Sequence, residues 1–244
     1  NRSSNKMDID FKKMKYFDLL EQKRKHVKTY SEKIPPKKLI EQALWKAWKT
    51  SPSKNNAMAY EVLVWGPDKE LEKAAIHSLV VKNHKHAEDR AVEKKLMNKT
   101  QGAKLGVVEN PYYRHVKENP YLITIHSRIA KPNKFYEEQI KTGHFYDQAY
   151  NPEDIIDSVA VEVGIFAANL TNYLLEEGLD MSYNSCFKRD IKDWHKVGLY
   201  MIKQRPITMI SCGYAKRYRR DDLKDRGQET WDVKPKIGEI IRWM

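Results

Sequence analysis

"NPEDIIDSVAVEVGIFAANLTNYLLEEGLD", from Asn151 to Asp180, is the stretch that decides the fold. Asn151 offers a side-chain oxygen to the unpaired N–H groups at the start of a helix, and Pro152 suits the first helical position, where no N–H is needed. Glu153 and Asp154 favour the positive end of the helix dipole, and Gly178 ends the run. Between these signals the residues are apolar nearly all round. Such a helix belongs in the middle of a structure or between two subunits, because no face of it is wholly suited to water.

Working outward from it, "IPPKKLIEQALWKAWKT" (Ile34 to Thr50) places Leu39, Ile40, Ala43, Leu44, Ala47 and Trp48 on one stripe and predicts an amphipathic helix entered through two prolines. "SPSKNNAMA" turns the chain, and "YEVLVWG" reads as a buried strand closed by Gly66 and Pro67. "DKELEKAAIHSLVVK" predicts a second helix with Asp68 as its cap. The charged stretch from Asn83 to Asn119 predicts an exposed helix and a loop, and "PYLITIHSRI" a strand. Past the central helix, "GLDMSYNSCF" reads as a loop, "RDIKDWHKVGLYM" as a helix and "RPITMISCGYA" as a strand. The remainder, from Lys216, reads as a basic and mostly irregular tail. This order predicts an α+β layered domain. The strands are too few for a doubly wound dinucleotide fold, and no GxGxxG or GxxxxGK[ST] is present.

The chain has 244 residues, a formal charge of +12 and a pI near 9.4, which suit nucleic acid, an anionic membrane or a phosphorylated ligand. Two cysteines without a CxxC pair point to a reducing compartment. No apolar run approaches the length of a membrane span, and "NRSSNKMDID" lacks the apolar core of a secretory signal, so a cytoplasmic protein without membrane partners is expected. Residues 1–22 read as an N-terminal extension, those before Met7 being open to reading as an expression remnant. Residues 23–244 form one domain that includes the basic tail.

Chemistry is sought in a few places. Lys23, Arg24, Lys25, His26 and Lys28 are either a solvated charge run or an anion site with a guanidinium and several ammonium donors. "SPSKNN" sets two hydroxyls and two amides on the end of a rigid helix, where they can face a polar ligand or simply turn the chain. His84 and His86 are two apart and no Cys/His set has zinc spacing, so no metal site is expected. No GxSxG elbow supports a hydrolytic serine. Arg217, Arg219, Arg220, Arg226, Lys234 and Lys236, interleaved with Tyr214, Tyr218 and Trp231, keep a nucleic-acid surface open as a rival.

Taken in order, these pieces resemble the nitroreductase superfamily of FMN-dependent oxidoreductases. The family's basic opening, of the type RRSVRxF, resembles "KRKHVKTY" (Lys23 to Tyr30), and its APSxxNxQPW turn resembles "SPSKNNAMAY" (Ser51 to Tyr60). Its long helix with a closing Gly-Leu step resembles Asp157 to Asp180, and its strand-Gly-Tyr with a basic ending resembles "SCGYA" with "DVKPKIGEIIRW". Met58, Ala59 and Tyr60 stand where Gln, Pro and Trp are usual, and His26 where a small Ser is usual. The resemblance implies a sandwich with a mainly antiparallel sheet surrounded by helices, forming an intertwined homodimer through the long helix and the tail.

It also implies FMN as cofactor, NAD(P)H as electron donor and a nitroaromatic, quinone or related small molecule as two-electron acceptor. Arg24, Lys25, His26 and Lys28 would then hold the phosphate and ribityl chain, with Lys28, or less directly Arg114, near N1 and O2 of the flavin. Ser51, Pro52, Ser53 and Asn56 would contact the flavin from the other subunit. Tyr183, Asn184, Ser185 and Cys186 would pass the isoalloxazine edge with a backbone N–H toward N5, and Lys234 and Lys236 would complete the phosphate site. No catalytic side chain is assigned. The second reading is a flavin-binding or basic nucleic-acid-interacting protein without reductase activity.

Overall fold

The computed structural model describes residues 24–93, 115–130, 134–142, 156–225, 227 and 234–241. Arg114, Arg226, Trp231 and the predicted capping run Asn151 to Asp154 lie outside them.

Four strands build the main sheet: β2 (Tyr60–Trp65), β3 (Tyr121–Ser127), β4 (Asp180–Asn184) and β5 (Pro206–Gly213). Their order is β2-β3-β5-β4, and every neighbouring pair is antiparallel. All seven residues of β3 are buried. Alternate residues point to opposite faces, so a central strand feeds two cores. Ile123 and Ile125 join one with Ile40, Ala43, Val163, Phe166 and Leu170, while Leu122 joins the other with Ile76, Leu79, Trp194 and Met209. Two of the buried polar side chains of β3 share one hydroxyl: Trp65 Nε1 donates to Thr124 Oγ1 at 2.9 Å, and His126 Nε2 lies 2.8 Å from the same oxygen.

Helices cover both faces. On one lie α1 (Lys37–Thr50) and the central α4 (Ile156–Glu176); on the other lie α2 (Glu70–Glu93) and α5 (Ile191–Lys196). A further helix, α3 (Lys134–Lys141), follows β3. The fold is thus the layered, mainly antiparallel α+β arrangement expected from the sequence. α1 and α4 run antiparallel. Lys46 reaches Glu176 at 3.1 Å and Glu177 at 3.3 Å, Asn169 donates to Ser51 Oγ at 3.0 Å, and Lys54 N donates to Glu162 at 2.7 Å.

Several expectations need correction. α4 is long and apolar enough to cross a membrane by length and composition, contrary to the sequence reading. In the fold it is a core helix that buries Val159, Val163, Phe166, Leu170 and Leu174, while Val161 and Ile165 face outward. α2 begins at Glu70, so Asp68 sits in the preceding turn instead of capping it. Trp48, placed on the buried stripe of α1, is 55% exposed. The expected loop after α4 is strand β4: Gly178, at φ 76°, ends the helix and turns the chain directly into it.

The charge run and part of the irregular tail are ordered as well. β1 (Val27–Tyr30) and β6 (Ala215–Tyr218) form an antiparallel ribbon, followed by α6 (Arg219–Asp225) and, after an interval, the short α7 (Ile237–Ile240). Alternation was hidden here because the inward residues of β1 are only Val27 and Tyr30, set among cations.

Candidate functional site

Two rigid supports carry most of the predicted residues. The first is β1. Val27 N donates to Ser182 Oγ at 2.7 Å and Ser182 Oγ lies 3.0 Å from Val27 O, tying the strand to β4. Tyr30 donates its hydroxyl to Ser211 O at 2.8 Å, and Arg219 N donates to His26 O at 2.8 Å. Burial holds the Tyr30 phenol well above its usual range, so it stays a neutral donor.

The strand offers its cations unequally. Arg24 and Lys25 are exposed, with the Lys25 ammonium 5.3 Å from the centre of the Tyr218 ring. His26 is half-buried and meets His115 edge to face at 5.4 Å. Lys28 is largely covered and forms an ion pair with Asp222 of α6, whose carboxylate also lies 3.9 Å from Arg217. Arg217 in turn pairs with Asp225. Asp180 ties β6 to β4 by accepting from Ala215 N at 3.0 Å and from the Tyr218 hydroxyl at 2.8 Å.

The second support is the Ser51–Ala59 turn, held against the middle of α4. Ser51 is buried and accepts from Asn169, and Ser53 Oγ accepts from Met58 N at 3.1 Å. Each hydroxyl that accepts a bond within the chain still carries a proton to donate. Pro52 and Asn56 are exposed. Asn56 and Met58 are both left-handed, with φ 55° and 48°, which is unusual for a residue like methionine. Arg128 holds this backbone in place: Nε donates to Met58 O at 3.0 Å, and Nη2 to Ala57 O at 2.9 Å and Met58 O at 2.7 Å. Beside the turn a cavity of about 390 Å³ opens between Trp48, Tyr60, Val62, Val64 and Phe166. Burial pushes the Tyr60 phenol up to about 12, so it too stays neutral.

The end of β4 differs from the expected loop. Tyr183 turns its hydroxyl inward to Ala167 O at 2.7 Å and Thr171 Oγ1 at 2.6 Å, and burial raises its pKa. Asn184 Oδ1 accepts from Cys186 N at 2.8 Å, so that N–H is engaged within the chain. Ser185 and Cys186 are exposed. Lys234 and Lys236 stand exposed beside α7, as do Ile237, Ile240 and Ile241. Among the described residues no group of three metal-ligating side chains occurs.

Sequence reasoning did not single out Arg128, Glu162, Asn169 or Asp222. Their partners lie far along the chain, so no local pattern marks them.

The whole fold has known counterparts. A nitroreductase-family protein from Streptococcus pneumoniae TIGR4 superposes with a TM-score of 0.58 at 17% identity, covering 94% of this chain and 100% of that one. A BluB-like flavoprotein from Clostridium difficile 630 gives 0.61 at 16% identity, with coverages of 93% and 98%. Iodotyrosine deiodinase in complex with FMN and 3-iodo-L-tyrosine gives 0.56 at 19% identity, with coverages of 94% and 98%. No curated protein matches the sequence. The family model described as "Nitroreductase family" matches residues 22–214, from the basic strand through the last sheet strand to Tyr214. With that match running through both supports of the candidate site, the chain belongs to the nitroreductase family.

Proposed function

We propose that the protein is an FMN-dependent oxidoreductase that acts as a homodimer, takes electrons from NAD(P)H and passes two of them to a nitroaromatic, quinone or related small acceptor. The observation that carries this reading is the pair of fixed supports, one bearing cations and one bearing donor hydroxyls, in a fold whose solved examples include FMN complexes.

The donor chemistry fits the cofactor. Arg24 and Lys25 present charged donors to solvent at the head of β1, as a phosphate monoester requires, and Lys28 lies two pleats further along the same strand. Ser51 and Ser53 keep hydroxyl protons for carbonyl or ring acceptors. Lys234 and Lys236 would add to the phosphate site, as would Arg114. When bound, FMN supplies the hydride chemistry, and the protein binds, orients and shields it.

A second copy would cover the apolar surface that one chain leaves open. Trp48 and Val64 line the cavity, Trp45 is exposed on the same helix as Trp48, Val161 and Ile165 continue along α4, and Ile237, Ile240 and Ile241 are all at least half exposed. The two supports would then meet across the subunit boundary, with Ser51, Pro52, Ser53 and Asn56 of one chain facing the basic strand of the other. Tyr183, Asn184, Ser185 and Cys186 would pass the flavin edge, with Ser185 better suited than Cys186 to offer a backbone N–H.

The nucleic-acid reading loses ground because Arg217, the first of the tail arginines, is already paired with Asp225. Reconstitution with FMN followed by anaerobic reduction with NADH and NADPH tests the proposal. Flavin uptake and bleaching by one or both nucleotides, with recovery on adding an acceptor, is expected. A folded protein that takes up no FMN overturns it.

A further inference from the structure

Lys28 is the cation that the flavin reading sets against the pyrimidine edge, and this chain supplies it with a carboxylate. The Lys28 and Asp222 side chains are only 12% and 8% exposed, so water screens their interaction little. The carboxylate is held in place by the fold. The first turn of α6 is fixed to β1 by the Arg219 N to His26 O bond, and Leu223 beside Asp222 is fully buried. Arg217 flanks the same carboxylate at 3.9 Å. All of α6 lies beyond Tyr214, outside the stretch that the family model matches.

We infer that Asp222 is a positioning residue that fixes the Lys28 ammonium and offsets its charge beside the flavin, so that the cofactor sits at a lower reduction potential than a lone lysine would set. This rests on the flavin reading above. A hydride from the nicotinamide brings two electrons and one proton, so the nicotinamide is oxidised and the flavin, as it is reduced, gains one negative charge at its N1–C2=O edge. A lone ammonium there would stabilise that charge. An ammonium paired with a carboxylate acts as a dipole, whose field falls off faster with distance. Arg24 and Lys25 replace little of the lost field, because in the flavin reading their charge is matched by the phosphate.

The test is a charge-balance cycle on the FMN-loaded protein, with the potential read by equilibration against a reference dye and FMN affinity read separately by flavin fluorescence. Asp222→Asn is expected to shift the reduced-to-oxidised ratio at a fixed poise about tenfold toward reduced, equivalent to about 30 mV for a two-electron couple. Lys28→Met is expected to shift it by a similar factor the other way, and Asp222→Glu to stay near wild type. The double variant Lys28→Met/Asp222→Asn removes both charges and is expected within about threefold of wild type; it also keeps the test valid if a single variant strands a buried charge and fails to fold. A double variant shifted as far as Lys28→Met alone overturns the inference, as does an unchanged potential in Asp222→Asn. Absence of FMN binding in the wild type overturns the flavin reading together with the inference, so the two failures are distinguishable.

Discussion

Arg128 follows the last residue of β3 and carries three hydrogen bonds to the carbonyls of Ala57 and Met58, some 70 positions earlier in the chain. These carbonyls belong to a turn with two left-handed residues that would otherwise relax. Arg128→Ala is therefore expected to destabilise the protein by about 1.5–3 kcal/mol, the range for hydrogen bonds to a charged group, with the loss read as a lower urea midpoint at unchanged slope. Arg128→Lys should recover only part of it, because one ammonium cannot reproduce the guanidinium fork. An Arg128→Ala midpoint equal to wild type would mean that the turn holds its shape unaided. At this scale the sequence was half legible. Ser51, Ser53 and Asn56 announced a turn by composition, whereas the residue that braces it had no local signature. Lys28 likewise read as one of several equivalent cations, and only the fold distinguishes it by placing Asp222 against it.

Elements whose pattern is local were the readable ones. α1, β2, β3, β5 and α4 each carry a complete period of apolar residues or a terminating Gly or Pro, and each was found where expected. β1, β4 and β6 were not, because their stability comes from partners far away. β4 contains Ser182, whose buried hydroxyl bonds the backbone of Val27, and β6 is held by Asp180. The exposed side of α4 leads to a prediction at this scale. If Val161 and Ile165 meet a second copy, Ile165→Asp should convert a dimer to a monomer in sedimentation at low micromolar concentration and weaken FMN retention with it, since a charge on an apolar interface goes unpaired. A variant that still sediments as a dimer with bound flavin would place the subunit contact elsewhere.

Across the whole molecule, acid should act on two histidines that the fold keeps neutral. Burial brings His115 down to about 3, with His26 and His77 nearby adding to the effect, and brings His126 down to about 4 against the opposing pull of the Gln204 backbone, which accepts from the ring. In the unfolded chain both would titrate near 6.5, so below that pH the unfolded state binds more protons and stability falls. The decline is expected to begin below about pH 6.5 and to continue to about 4 for His126 and about 3 for His115, with each group contributing up to about 1.4 kcal/mol per pH unit within its window. Urea midpoints from pH 7 to 4 would show it, and His115→Leu should flatten the slope by roughly one proton. An unaltered slope would mean that His115 is not the group being protonated.

The ribbon of β1 and β6 joins two strands between which every strand of the main sheet lies in sequence. During synthesis the basic strand must wait for all of that sheet to be made before its hydrogen-bonding edge is available. Closing so long a loop is slow relative to the shorter-range pairings of the main sheet. A nascent chain interrupted after Gly213 would therefore own every strand of the main sheet, yet hold its basic strand only through Ser182 and Ser211, without the β6 ladder or the Asp222 carboxylate. Such a fragment would carry the sheet and both cores with Lys28 lacking its counter-charge, so the setting of that lysine is completed only when α6 has been made.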